Sequence, residues 1–263
     1  MTPPAPAIPA PLVGRTLLIT RPQPEAAATA ALVTRRGGVA LLAPALEIRP
    51  PRDPAPLAAA LAALERYQGV VITSANGARA FLAALPAAGP RPPVFAVGPK
   101  TARVLEKHGY PTLQPTRPGH AADLGRDILA RLPRGSRLLC LRAEVGRWEA
   151  IALLEQEGCP VDLVTAYRAE PVAALPPAVV REIETGRVDA VLFFSGRSAA
   201  AFLAALPPPA RAALAGATIA ALSPITAGEL RTLGLTVHLV AERPTAEALL
   251  EAVAAYWSRT DPS

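Results

Sequence analysis

The sequence is poor in the residue types that build disulfides, metal sites and aromatic stacking surfaces. Aromatic residues make up only 4% of the 263 residues, and there are two cysteines and three histidines. Neither Cys140 nor Cys159 has a Cys-x-x-Cys partner or a neighbouring histidine, so we expect two buried, reduced core thiols. The histidines are scattered along the chain, which argues against a metal site.

Long apolar runs are also missing. No stretch approaches 18 uninterrupted apolar residues, so we expect no membrane-spanning segment and a cytoplasmic protein. Residues 1–13 are rich in proline, without a basic start or an apolar run, and we interpret them as a disordered tail and not as a signal peptide. Hydrophobic residues still make up 51% of the chain, which is enough for buried cores.

Lysine is scarce as well, since Lys100 and Lys107 are the only lysines among 27 basic residues in a chain of net charge +6. An excess of arginine favours an anionic partner, because a guanidinium binds carboxylates or phosphates through paired hydrogen bonds. That partner could be nucleic acid or a polyanionic small molecule, and the arginines could equally be solvated surface residues. There is no cluster of five or more basic residues and no aromatic-plus-basic pattern, so we expect no nucleic-acid partner.

What the sequence does contain is a recurring strand–helix pattern. Short apolar segments are each followed by a small-residue turn and an Ala/Leu-rich segment with helical spacing. Such alternation is typical of α/β proteins with parallel sheets covered by helices on both faces. The predicted strands span residues 16–20, 70–73, 94–97, 137–141, 188–194 and 218–222. Helices are predicted at about 25–36, 76–84 and 100–107.

The pattern is duplicated along the chain. Pairs at an offset of 121 residues are Arg21 and Arg142, Gly37 and Gly158, and Phe81 and Phe202. The motif Pro-x-Thr-Ala occurs at 99–102 and again at 224–227, where the offset has grown to 125. Several matches in the same order indicate two similar α/β lobes, which we expect to face each other.

Two further segments, 44–51 and 163–171, alternate polar and apolar side chains and contain prolines. We expect them to pair as the β connection between the lobes. The predicted organisation is therefore a tail at 1–13, lobe 1 at 14–43 plus 172–258, and lobe 2 at 52–162.

Small and polar residues fill the turns after the predicted strands, at 20–22, 74–77, 98–101, 142–144, 195–198 and 223–226. In open parallel sheets, ligands bind beyond the C-terminal strand ends, where helix N-termini direct free N–H groups outwards. Six such turns would suit a ligand with many carboxylates. The alternative is that their Ser, Thr and Asn residues are only helix N-caps.

Common catalytic motifs are absent from the sequence. It has no Gly-x-Ser-x-Gly, no Gly-x-x-x-x-Gly-Lys, no His-Glu-x-x-His and no Gly-x-Gly-x-x-Gly. We therefore expect no cofactor and no metal. An enzyme of this composition would act mainly by holding and folding its substrate.

With the turns located, the chain resembles the uroporphyrinogen-III synthase family from about Leu12 to Trp257. The segments that carry the resemblance are 19–21, 71–78, 96–102, 164–168, 193–199 and 243–245. The resemblance implies two Rossmann- or flavodoxin-like parallel-sheet lobes joined by a two-stranded antiparallel connection. It also implies a substrate, hydroxymethylbilane, a linear tetrapyrrole with eight carboxylates that is cyclised with loss of water and inversion of its last pyrrole.

The resemblance further suggests residue roles. Tyr167 is the expected donor of a proton or hydrogen bond to the departing hydroxyl, and the alternative is a strand residue that packs against a neighbour. Ser223 stands where the family usually has glycine, which weakens it as a ligand contact. The residues expected to bind carboxylates are Thr20, Arg21, Ser74, Ala75, Asn76, Gly98, Lys100, Thr101, Arg142, Ser195, Gly196, Arg197, Ser198 and Thr226.

Two other functions fit the residues. One is a two-lobed protein that binds an anionic metabolite without changing it, and the other is a basic regulatory protein that docks on nucleic acid, whose binding would weaken steeply with salt. For the enzyme, we expect a monomer, with hydroxymethylbilane synthase as a candidate partner that hands over the substrate.

Overall fold

A computed structural model describes residues 12–115, 121–145 and 149–260. The chain forms two compact units, of which unit 2 is the continuous stretch Ile48–Ala169. Unit 1 takes the described chain up to Glu47 and again from Glu170.

Strands and helices alternate through most of the chain, as the sequence predicts. The strands are β1 (Thr16–Ile19), β2 (Val39–Leu42), β3 (Leu46–Arg49), β4 (Gly69–Ile72), β5 (Val94–Ala96), β6 (Thr112–Leu113), β7 (Leu138–Ala143), β8 (Val161–Pro171), β9 (Ala190–Phe193), β10 (Thr218–Ala221) and β11 (Leu239–Val240). The helices are α1 (Glu25–Arg35), α2 (Ala55–Ala62), α3 (Ala75–Ala84), α4 (Pro99–Glu106), α5 (Ala121–Arg131), α6 (Glu149–Gln156), α7 (Pro177–Glu184), α8 (Gly196–Ala205), α9 (Pro208–Ala213), α10 (Pro224–Thr232) and α11 (Ala246–Thr260).

Unit 1 is built on a five-stranded parallel sheet with the order β11-β10-β9-β1-β2. β1 is flanked on both sides, since Leu18 pairs with Leu41 on one side and Val191 on the other. If only the strands of this unit are counted along the chain, the order is 2-1-3-4-5, that of a flavodoxin-like doubly wound sheet. The order therefore reverses between β1 and β9.

Unit 2 contains a six-stranded sheet with the order β3-β8-β7-β4-β5-β6. β7 pairs in parallel with both β4 and β8, and β4 pairs in parallel with β5. β7 thus takes the place that β1 has in unit 1, and β4 takes the place of β9, as the 121-residue offset requires. Parallel sheets in two units confirm the predicted fold class.

The segment predicted as an interlobe connection has a second role. β3 lies beside β8 at the edge of the sheet, so the two segments predicted to pair do so. β8, however, also pairs with β7 from Leu138 opposite Val161 onwards and is an integral strand of the unit 2 sheet. The reason is that its apolar side chains, Val164 and Ala166 among them, are buried in the core of that unit.

Each sheet has a hydrophobic core on both of its faces. Leu17 and Ile19 of β1 belong to one cluster of unit 1, whereas Leu18 between them belongs to the other. Successive side chains of a strand point to opposite faces, so a strand covered on both sides must be apolar throughout. The first cluster also contains Leu12, which is fully buried. The prediction that Leu12 belongs to a disordered tail is therefore wrong for this residue, and residues 1–11 of the predicted tail lie outside the described residues.

Two glycines of the repeat end helices in the left-handed region. Gly37 follows α1 with φ +79°, and Gly158 follows α6 with φ +80°. A residue with a Cβ rarely adopts this conformation, whereas glycine does so without steric cost. The first helix therefore ends where the sequence predicts, and α6 ends just before the glycine that the repeat pairs with Gly37.

The N-terminal end of the unit 2 sheet is held by an ion pair. The Arg137 guanidinium lies 2.8 Å from Oδ1 of Asp162, and Oδ2 of the same carboxylate accepts a hydrogen bond of 2.7 Å from the Tyr67 hydroxyl. Burial raises the pKa of Asp162, but the hydrogen bonds from Tyr67 and Arg137 outweigh it and hold the pKa below its usual value. These residues lie at the edge opposite the predicted binding turns.

Both cysteines are free and buried, as predicted. Burial raises the pKa of the Cys140 thiol to about 12, so it carries no thiolate at neutral pH. Within the described ranges, no helix is long and apolar enough to cross a membrane.

Candidate functional site

Four of the six predicted binding turns flank the point where the strand order reverses in each sheet, and the turns at 98–101 and 223–226 follow the neighbouring strands β5 and β10. In unit 1 these are the turns after β1 and β9, which contain Thr20–Arg21 and Ser195–Ser198. In unit 2 they are the turn after β4, with Ser74–Gly77, and the turn after β7. Arg142, predicted in that second turn, is still a residue of β7 and pairs with Thr165. The crevice beyond the strand ends at such a reversal is where doubly wound sheets bind ligands. Each unit therefore has its own candidate crevice.

In unit 2 the structure brings Ser74 and Tyr167 together. Their hydroxyl oxygens lie 3.0 Å apart, although 93 residues separate them in the sequence. The Ser74 hydroxyl also caps α3, since it accepts a hydrogen bond of 3.0 Å from the Gly77 amide. Because that amide is the donor, the Ser74 hydroxyl keeps its own proton to give to Tyr167. In that arrangement the phenol proton of Tyr167 is available to a ligand.

Tyr167 is held by the backbone on both sides of a bulge. Arg142 pairs with Thr165, and the register then shifts so that Ala143 pairs with Tyr167. The carbonyl of Tyr167 accepts a hydrogen bond of 2.9 Å from the Glu144 amide, and its side chain is 9% exposed. A bulge of this kind redirects a side chain at the end of a strand. The ring is thus packed in the core of unit 2, which was the alternative interpretation, while its hydroxyl lies beside the α3 turn.

The other predicted residues of unit 2 differ in accessibility. Ala75 and Asn76 are half-buried in the first turn of α3, and Asn76 accepts a hydrogen bond of 2.6 Å from Arg79. Gly98 is the N-cap residue of α4 and offers no side chain. Lys100 is exposed and Arg142 half-buried, whereas Thr101 is buried with 4% exposure.

In unit 1 the two residues after β1 have different environments. The Thr20 side chain is fully buried and donates a hydrogen bond of 2.9 Å to the Leu192 carbonyl, so it links β1 to β9. The Arg21 guanidinium lies 4.2 Å from the centre of the Phe194 ring and 3.4 Å from the Thr29 hydroxyl. Its Nε atom is buried and has no hydrogen-bond partner in the described part of the chain. Burial lowers the pKa of Arg21, although Glu25 and Glu247 act in the opposite direction.

The turn before α8 has a carboxylate of the protein itself at its first amide. Ser195 caps α8 by accepting from the Ser198 amide at 3.2 Å, as Ser74 caps α3. The Gly196 amide, however, donates a hydrogen bond of 2.9 Å to the carboxylate of Glu229 on α10. Glu229 was not predicted from the sequence, because its contact with Gly196 depends on the packing of two helices. The repeat shows only that Val104 occupies the equivalent position in unit 2, so that the two units differ there.

Ser223 has a structural role that its departure from the family pattern did not suggest. It caps α10, accepting from the Thr226 amide at 3.2 Å, and its hydroxyl lies 3.1 Å from that of Thr226. Thr226 and Ser198 are both buried, with 4% and 3% exposure. Arg197 is the exposed residue of the α8 turn.

The two units differ in charge. The stretch Ile48–Ala169 contains sixteen Lys or Arg residues and ten Asp or Glu residues, so it carries a net charge of +6. The rest of the chain contains eleven of each and is neutral. The entire net positive charge of the protein therefore belongs to unit 2, which attracts anions more strongly than unit 1 does. Across the described residues, no group of three or more His, Cys, Asp or Glu side chains could hold a metal ion.

Two doubly wound parallel sheets, each with one serine-capped helix N-terminus at its reversal point, define a two-unit α/β protein whose turns suit an anionic ligand. The family model described as uroporphyrinogen-III synthase HemD matches residues 27–251. The chain therefore belongs to the uroporphyrinogen-III synthase family.

Known proteins resemble the chain over nearly its full length. A protein from Synechococcus elongatus named uroporphyrinogen-III synthase is 28% identical over 259 residues, covering 95% of this chain and 97% of that protein. A crystal structure of a mutant uroporphyrinogen III synthase from Thermus thermophilus is 21% identical, with a TM-score of 0.58 and coverage of 93% and 99%. That of uroporphyrinogen-III synthetase from Helicobacter pylori is 18% identical, with a TM-score of 0.59 and coverage of 90% and 97%. The two structures share the fold.

Proposed function

We propose that this protein cyclises hydroxymethylbilane to uroporphyrinogen III, with loss of water and inversion of the last pyrrole ring. Membership of the uroporphyrinogen-III synthase family over residues 27–251 is the observation that carries the proposal. The relative from Synechococcus elongatus has the same name and is matched over nearly its whole length. The charge of unit 2 and the capped turns are consistent with a substrate that has eight carboxylates.

In the proposed reaction, Tyr167 donates a hydrogen bond or proton to the terminal hydroxyl of the substrate. The hydroxyl leaves as water, and the resulting azafulvene is attacked by the substituted end of the last pyrrole to give a spiro intermediate. This intermediate opens and closes again with the ring inverted. The proton given to the leaving hydroxyl is balanced by the one that the last pyrrole loses when it regains aromaticity.

The contact between Tyr167 and Ser74 supports this role. If Ser74 donates to the phenol oxygen, the phenol is fixed in position and its proton is directed away from the serine. A hydroxyl is a poor leaving group without such a donor, and a positioned acid contributes about 10²–10⁴-fold to a rate. The rest of the task is conformational control, since the same substrate closes without inversion in water.

We assign carboxylate binding to the backbone amides and side chains of the turns. In unit 2, Ser74, Ala75, Asn76, Gly98, Lys100, Thr101 and Arg142 are the candidates. In unit 1, Arg21 and Arg197 offer guanidinium groups, whereas the side chains of Thr20, Ser198 and Thr226 act by fixing the turns. We also propose a cytoplasmic monomer that works without a cofactor or nucleic acid and receives its substrate from hydroxymethylbilane synthase.

The test is to supply enzymatically made hydroxymethylbilane and to separate the uroporphyrin isomers after oxidation of the product. The proposal predicts mainly the type III isomer, whereas buffer alone gives type I. Type I alone in the presence of the folded protein refutes the activity. Tight binding of the substrate with only type I product would instead favour a binding protein.

A further inference from the structure

The α8 turn of unit 1 and the α3 turn of unit 2 are equivalent in the repeat but differ at one point. Both begin with a capping serine, Ser195 and Ser74. In unit 1, the carboxylate of Glu229 accepts the hydrogen bond of the next amide, that of Gly196. In unit 2, the residue at the place of Glu229 is the apolar Val104.

We infer that Glu229 is a specificity-determining residue that keeps substrate carboxylates from the Gly196 amide of the α8 turn, so that they bind chiefly to unit 2. The inference rests on the proposed function for its substrate class. A carboxylate at a helix N-terminus accepts the free amides and interacts with the positive end of the helix dipole. Glu229 already satisfies Gly196 in this way, and its charge repels a second carboxylate.

The contact between Glu229 and Gly196 depends on the glycine. A Cβ added at residue 196 would lie 2.6 Å from the Cβ of Glu229 and 2.5 Å from its carboxylate. Since the close approach of α10 to α8 leaves no room for a side chain, the glycine and the glutamate fit together as a pair. In unit 2 the corresponding residues are Ala75 and Val104, neither of which has a carboxylate side chain.

The charge distribution supports the same conclusion independently. Ile48–Ala169 carries the whole net charge of +6, and the remaining chain is neutral. An octacarboxylate is therefore attracted to unit 2 and gains nothing from the net charge of unit 1. The duplicated units would thus have diverged, one retaining an open anion-binding turn and the other closing it with its own carboxylate.

The experiment measures backbone amide resonances of the intact protein during titration with two probes, propionate and uroporphyrin III. In the wild-type protein, the amides of Ala75 and Asn76 are expected to shift and that of Gly196 to stay unchanged. In Glu229→Ala, the Gly196 amide is expected to shift saturably with propionate. In Glu229→Gln, the side-chain carbonyl still accepts the hydrogen bond, so Gly196 should remain silent. Val104→Ala is the matched control and should leave Gly196 unresponsive.

With uroporphyrin III, Glu229→Ala should bind about two- to fivefold more tightly than the wild-type protein, the range expected for one exposed charge interaction. If Glu229 has only a structural role, Glu229→Ala should be less stable but its Gly196 amide should not shift with propionate. That result overturns the inference. So does a wild-type Gly196 amide that shifts as much as Ala75. The propionate arm decides the inference even if isomer analysis shows that the proposed activity is absent.

Discussion

Replacing Tyr167 by Phe tests the proposed chemistry, because it removes one hydroxyl and keeps the packed ring. The structure predicts a modest loss of stability, since within the described residues the hydroxyl makes one side-chain hydrogen bond of 3.0 Å, to Ser74. Such a bond contributes about 1 kcal/mol net to the free energy of unfolding. If the hydroxyl also assists the departing group, the rate of type III formation should fall by about a hundredfold or more.

Tyr67→Phe is a matched control in the same unit. The Tyr67 hydroxyl donates a hydrogen bond of 2.7 Å to Asp162 at the opposite edge of the sheet. Its loss should cost roughly 1.5–3 kcal/mol of stability, because the acceptor is charged, and leave the rate unchanged. The assay follows type III and type I isomers from hydroxymethylbilane, with urea unfolding of each variant in parallel. A folded Tyr167→Phe with wild-type rate and isomer ratio would refute the role of Tyr167.

The same reasoning extends to the serine that contacts the phenol. Ser74→Ala and Ser195→Ala each remove an N-cap hydrogen bond, so each should lose about 1 kcal/mol of stability. Only Ser74→Ala should also slow type III formation. Within the described residues, no tyrosine is hydrogen-bonded to Ser195, whose hydroxyl contacts that of Ser198 instead. Equal effects of the two variants on the rate would contradict the proposed arrangement.

Three further predictions concern the scaffold. Hydrogen bonds from Tyr67 and Arg137 hold the pKa of Asp162 below its usual value, so these contacts stabilise the protein above about pH 4. Their contribution is lost as the pH falls through the lowered pKa. In urea unfolding from pH 3 to 7, the stability of Asp162→Asn should therefore depend less on acid than that of the wild-type protein. Gly196→Ala should cost roughly 1–3 kcal/mol by overpacking against α10, whereas Gly98→Ala meets no atom within 4 Å and should cost less in the same measurement. Cys140 should react with iodoacetamide only in the unfolded protein, since burial raises its pKa to about 12; mass spectrometry of the labelled native protein would reveal an accessible thiol if this is wrong.

The repeat made much of the fold predictable. An offset of 121 residues relates Ser74 to Ser195 and Gly37 to Gly158, and the structure gives each pair the same local role as N-cap or helix end. Local signals of this kind depend on a few neighbouring residues, so they can be read from the sequence. The burial of Leu12 was not predicted, because a proline-rich stretch precedes it and because its burial depends on distant residues.

The contacts that distinguish the two units could not be predicted in this way. The pairing of Ser74 with Tyr167 depends on the strand register and on the bulge beside Ala143. Glu229 reaches Gly196 from a different helix, 33 residues away. Its exposed position on α10 looks like any solvated charge until the geometry of both helices is known.

The interleaved order of the units has a consequence for synthesis on the ribosome. Unit 2 is one uninterrupted stretch, whereas the strand β1 of unit 1 requires β9, which begins at Ala190. Between the end of β2 at Leu42 and that residue, translation at the usual 5–20 residues per second takes about 7 to 30 seconds. Nascent chains should therefore contain a folded unit 2 while Leu17, Leu18 and Ile19 are still exposed to chaperones. In a chain that stalls before Ala190, these three residues should stay exposed.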